Sequence, residues 1–81
     1  MIILDEVVKT VKEHQGTETA IDVDVSLVDL GINSFSFIQI AVAMEDKYQI
    51  KFEDEYLDYT AFNNIREVAA YVENKVNLGH A

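Results

Sequence analysis

Hydrophobic positions along the chain keep a helical rhythm in three segments and lose it in two. Ile3, Leu4, Val7, Val8 and Val11 recur every three or four residues, with Asp5, Glu6, Lys9, Lys12 and Glu13 between them. That spacing predicts an amphipathic helix ending near His14 to Gly16. The rhythm returns from Ser34 to about Tyr48. There Phe37, Ile40, Ala41, Met44 and Tyr48 form one stripe, and Phe35, Ile38 and Val42 a neighbouring one. A helix apolar over so much of its circumference belongs at the centre of a fold. In the last segment Asn64 stands as N-cap and Glu67 as its capping-box partner. Ile65, Val68, Ala69, Val72 and Val76 line the face to be buried.

Between the first two helices, residues 15–33 hold no period. Their "AIDVDVSL" alternates like a strand but has no second strand to pair with. The expectation is a long ordered loop whose Ile21, Val23, Val25 and Leu27 partly enter the core, and loops of this length are often functional. "QIKFEDEYLDY" reads as a connector, with a short helical turn around residues 57–62, and "NLGHA" as a frayed tail. The predicted fold is all-α: a small four-helix bundle of three main helices and one short one, with a long first loop. One domain covers residues 1–76 and the tail 77–81. No internal repeat or low-complexity segment is visible.

Composition narrows the partners. The 81 residues leave room for one core only. Such a chain buries about 60% of the surface its unfolded form exposes, so modest stability is expected. Fifteen acids against six Lys and Arg give a net charge of −9. A surface of that sign repels nucleic-acid and lipid phosphates and is drawn to basic patches on proteins, unless the acids serve solubility alone. The N-terminus lacks the pattern of a secretory signal, and no apolar run approaches the roughly 18 residues of a membrane span. Cysteine is absent, which suits a reducing cytoplasm and excludes a protein thiol as nucleophile or metal ligand.

The candidate chemistry lies in "LGINSF", Leu30 to Phe35, just before the central helix. Asn and Ser are both favoured N-caps, so by itself the pair reads as a helix start. Its surroundings change that reading. "DLGINSFSFIQIAVAMEDKYQIKF" resembles the core of the acyl carrier and peptidyl carrier protein superfamily. Asp29, Leu30, Gly31, Ile32, Ser34, Glu45, Tyr48, Ile50 and Phe52 stand at matching places. Asp54, Leu57, Phe62, Ile65, Val68 and Tyr71 continue the match through the third and fourth helices.

The resemblance implies that a phosphopantetheinyl transferase attaches the 4′-phosphopantetheine arm of coenzyme A to Ser34. The arm's thiol would hold acyl or aminoacyl groups as thioesters, so that a chain without cysteine works through an added thiol. A helix N-terminus favours the negative phosphodiester, and Gly31 lets the backbone turn into the helix and keeps the hydroxyl approachable. Gly31 and Asn33 would shape the attachment turn. Phe35, Ile38, Glu45, Asp46, Glu53, Asp54 and Glu55 would meet the partners: the transferase, the loading enzymes and the downstream biosynthetic enzymes.

Three departures from the family pattern shift the expectation. Asn33 stands where Asp is commoner; the asparagine still caps but offers no charge to a basic transferase pocket, so a permissive transferase is expected. Ser36 and Gln39 occupy places where fatty-acid carriers set acids, and the negative charge moves to Glu45, Asp46 and "EDEYLD". That run either docks basic partners or is a solvated connector. Phe35 replaces Leu, with Phe37 close behind, and packing of both in the core is favoured over shaping an acyl cavity. The sum points to a stand-alone carrier in a specialised polyketide, nonribosomal peptide or lipid pathway.

The alternatives are a housekeeping fatty-acid carrier and an unmodified acidic helical interaction module. A hydrolase using Ser34 lacks a visible general base, so no catalytic residue is assigned and the chain is not read as an enzyme. No metal site is expected. The calcium-loop likeness from Asp22 has Leu27 where Gly is needed and Asn33 where Glu is needed, and His14 and His80 lack ligand spacing. The expected state is a cytoplasmic monomer that neither binds nucleic acid nor inserts in membranes.

Overall fold

The computed structural model describes residues 2–16 and 20–79. Three long helices carry the fold: α1 (Ile2–Gln15), α2 (Ser34–Tyr48) and α3 (Ile65–Gly79). α1 packs against both of the others. The apolar rhythm set each helix: Val7 and Val11 of α1, Phe37, Ile40, Ala41 and Met44 of α2, and Ile65, Val68, Ala69 and Val72 of α3 all lie in one buried cluster. No polar or charged residue among those described is buried with them. α1 stops where Gly16 takes up a left-handed conformation (φ 68°), as a glycine just past a helix C-terminus commonly does.

The long first loop is held from both sides. Leu27 and Ile32 are buried in the core, while Ile21 and Val23 pack against it from the rim. Val25 is half-buried and is not among the residues that contact the core cluster. The alternating segment does find a partner, though not a strand. Ser26 forms an isolated antiparallel bridge with Asn64. The Leu27 N–H donates to Asn63 O (3.3 Å) and the Arg66 N–H to Val23 O (3.2 Å). The start of α3 has backbone groups left unpaired by the helix, and the loop takes them up.

Two features differ from expectation. The short fourth helix is two single turns of 3-10 helix, Asp54–Tyr56 and Tyr59–Ala61. Asp58 divides them: its backbone is extended, and its carboxylate accepts from the Thr60 N–H (2.9 Å) and the Thr60 hydroxyl (2.8 Å). It thus caps a new turn and prevents one helix from running through. Secondly, α3 continues to Gly79 past Val76, where the buried stripe ends, since no residue there breaks the helix. His80 and Ala81 of the expected tail lie outside the described residues.

Aromatic side chains tie the 3-10 segment to the helices. Phe37 of α2 contacts Phe52 (6.5 Å between centroids) and Phe62 (5.7 Å). Tyr71 of α3 contacts Phe52 (4.9 Å), Tyr56 (4.8 Å) and Phe62 (5.6 Å). Its hydroxyl also accepts from the Glu53 N–H at 3.0 Å. Offset and edge contacts of this kind add about 0.5–1.5 kcal/mol each beyond simple burial.

Candidate functional site

The loop delivers Ser34 by a closed turn. Leu30 N–H donates to Ser26 O (3.1 Å), Gly31 N–H to Val28 O (2.9 Å) and Ile32 N–H to Leu27 O (3.0 Å). The last two bonds have the 5→2 and 6→1 pattern of a Schellman closure, which requires a left-handed residue at Gly31 and favours apolar contact between the flanking positions. Gly31 has φ 82°, and Leu27 and Ile32 are both buried. From the end of α1, the Gln15 side-chain amide donates to Leu30 O at 2.7 Å and pins the turn to the bundle. A Cβ at residue 31 would meet nothing nearer than that amide nitrogen, 3.9 Å away. Backbone conformation is what calls for glycine here.

Asn33 follows in extended conformation as the N-cap of α2. Its side-chain oxygen accepts from the Ser36 N–H (2.9 Å), and its carbonyl accepts from the Phe37 N–H (2.8 Å). The capping duty that Asn and Ser could each have met therefore falls to Asn33. Ser34 is the first residue of α2 and is exposed. The N–H groups of Ser34 and Phe35 precede the first intrahelical bond and face the same end. The first turn of α2 carries no acid. This combination fits an anionic group on the Ser34 oxygen, since the positive end of the helix dipole meets it and no carboxylate on that turn repels it.

The seven other residues expected at the surface divide into groups. Phe35 and Ile38 are exposed, as is Val42 on the same face. Phe37 is buried in the core, so of the two phenylalanines expected to pack inside, only Phe37 does so. Residue 35 lies about 200° around the helix from residue 37, which turns it to solvent. Glu45 is half-buried and its carboxylate accepts from the Phe52 N–H at 2.7 Å. Glu53 is paired with Lys75 (2.6 Å), and that bond and charge hold its carboxyl below the usual range. Asp46, Asp54 and Glu55 are exposed. The anchoring roles of Gln15 and of the Tyr71 hydroxyl are not visible in the sequence, because each acts on a backbone group more than ten residues away.

The family signature described as the phosphopantetheine attachment site matches residues 5–72. The chain belongs to this family of carrier proteins. An acyl carrier protein of Rhodococcus erythropolis is 38% identical over 73 residues, covering 88% of this carrier and 78% of that protein. The meromycolate extension acyl carrier protein of Mycobacterium tuberculosis is 36% identical over 73 residues, 88% of this carrier and 62% of its relative. The crystal structure of an acyl carrier protein from Thermotoga maritima superposes with a TM-score of 0.78. It is 20% identical, with 93% of this carrier and 87% of that chain covered, and shares the fold. The carrier thus takes 4′-phosphopantetheine as its prosthetic group, which supplies a thiol for acyl groups when attached. No described helix is long and apolar enough to cross a membrane.

Proposed function

We propose that Ser34 is the attachment residue and that the carrier presents acyl groups to biosynthetic enzymes. The observation that carries this is the division of labour at the start of α2. Asn33 caps the helix, and the neighbouring Ser34 is exposed, its hydroxyl in no hydrogen bond among the described residues. In the modification, the Ser34 oxygen attacks the pantetheine-bearing phosphorus of coenzyme A. The new O–P bond replaces the pyrophosphate O–P bond, adenosine 3′,5′-bisphosphate leaves, and the serine proton passes to a base of the transferase. Gly31 and Asn33 hold the turn in place and do no bond chemistry. The chain is a tether and not itself an enzyme.

The relatives' names favour an acyl cargo over an aminoacyl one, and a lipid pathway over a peptide one. The exposed acids Asp46, Asp54 and Glu55 suit basic rims on the transferase and on the enzymes that load and unload the arm. A monomer in the reducing cytoplasm keeps the added thiol available. The test is intact mass after incubation with coenzyme A and a broad-specificity phosphopantetheinyl transferase. The wild-type chain should gain one phosphopantetheinyl group and Ser34→Ala none. A wild type that never gains it, or a Ser34→Ala variant that does, overturns the assignment.

A further inference from the structure

An acyl chain on the arm of this carrier is apolar, and it leaves water wherever the fold has room for it. Beside the attachment turn, a groove of about 200 Å³ runs between the first loop and the second 3-10 turn, with Leu27, Val28, Tyr59 and Phe62 in its lining. Pockets that bury most of a small ligand hold roughly 300–1,000 Å³. A long chain would therefore have to continue past the groove into the helices. Phe62 bars that path. It is only 8% exposed, and its ring meets those of Phe37 (5.7 Å), Tyr56 (5.9 Å) and Tyr71 (5.6 Å). Phe52 completes the cluster against Phe37 and Tyr71.

The segment that carries Tyr56 and Phe62 is also tied down at both ends. At one end Leu27 N–H donates to Asn63 O (3.3 Å). At the other, Glu53 N–H donates to the Tyr71 hydroxyl (3.0 Å), and Lys75 donates to the Glu53 carboxylate (2.6 Å). Moving the segment aside would break these bonds together with the ring contacts. Forcing a chain between rings that stay in place would overpack the core. Resting on the Ser34 reading, we infer that the acyl chain stays outside the helices and that Phe62 is the residue that keeps it there. The carrier holds its cargo in the open whatever the chain length, and the thioester stays accessible between encounters with enzymes.

The test compares carriers bearing acetyl and octanoyl arms, made from acetyl- and octanoyl-coenzyme A by the same transferase and checked by intact mass. The octanoyl form should melt within about 3 °C of the acetyl form, the shift that burial of a single methylene would bring. Neutral hydroxylamine should cleave both thioesters at rates within about twofold, since neither is shielded from solvent. An octanoyl form that melts higher than this, or is cleaved more slowly, overturns the inference while leaving Ser34 in place. Phe62→Ala opens a ring-sized space beside the groove. Its octanoyl form should melt above its acetyl form by more than about 3 °C, as the chain fills that space. A Phe62→Ala carrier as indifferent to chain length as the wild type overturns the role given to Phe62. If that variant does not fold, Phe62→Leu makes the same comparison with a smaller opening. A wild type that gains neither acyl arm by mass overturns the Ser34 reading and this inference with it.

Discussion

Replacing Gly31 by alanine isolates the backbone contribution to the attachment turn. The substitution adds one methyl group, which would lie 3.9 Å from the Gln15 amide nitrogen in ordinary contact, so steric overlap contributes nothing. What remains is the left-handed φ of 82°, which costs an L-residue with a Cβ roughly 1–2 kcal/mol. Alanine also restricts the unfolded chain, which offsets about 0.4–1 kcal/mol. The net loss is about 1 kcal/mol, or a fall in Tm of about 4–8 °C for a domain of this size. Gly16 is the control, with φ 68° and open space around it. Gly16→Ala should cost the same in urea unfolding. Only Gly31→Ala should also slow loading of Ser34, because any relaxation at residue 31 moves the Asn33 cap. A Gly31→Ala variant at least as stable as wild type, or one that loses more than about 3 kcal/mol, would refute the reasoning.

Glu45→Ala should destabilise by about 1.5–3 kcal/mol in chemical denaturation, since it leaves the half-buried Phe52 N–H without its charged acceptor. Asp46→Ala beside it should stay within about 0.5 kcal/mol. Tyr48→Phe should be neutral or stabilising by up to about 1 kcal/mol, read as a rise in Tm. Among the described residues the Tyr48 hydroxyl is buried without a partner, and burial first and Glu6 second push its pKa up. Acid titration of stability should show a loss as pH falls below about 4.5, the ordinary glutamate value. Asp24 is held below its ordinary range chiefly by the Arg66 hydrogen bond, Glu53 by Lys75, and Asp58 by the Thr60 backbone N–H. With folded values depressed, their contribution is present above the unfolded values and disappears as pH falls through the folded ones. Lys75→Gln should make that acid limb shallower, and an unchanged limb would contradict the pairing.

Much of this molecule is written in short-range pattern. The bounds of α2, the Asn64 cap whose side chain accepts from Glu67 N–H (2.9 Å), and the buried faces of α1 and α3 follow from spacings of three and four residues. These are contacts a helix makes with itself or repeats along one side. The Asn33 cap is local in the same way, since its side chain accepts from Ser36 N–H three residues on, whereas the attachment reading of Ser34 needed the match across Asp29 to Phe52 and beyond. Glu67 departs slightly from the expected capping box, reaching Asn63 N–H (2.8 Å) one residue before the cap.

Long-range packing decided the rest. Both stripes of α2 are apolar, and nothing local states which one meets α1 and the aromatic cluster; the tertiary fold buries Phe37 and leaves Phe35 outside. Glu45 and Glu53 are surface acids by composition, yet one closes on a backbone seven residues on and the other on a lysine of α3. Pattern settles which residues can share a helix face, because that is a matter of 3.6 residues per turn. Which face is covered, and which charge is already spent within the chain, depends on elements far apart in sequence. Those meet only when the core closes.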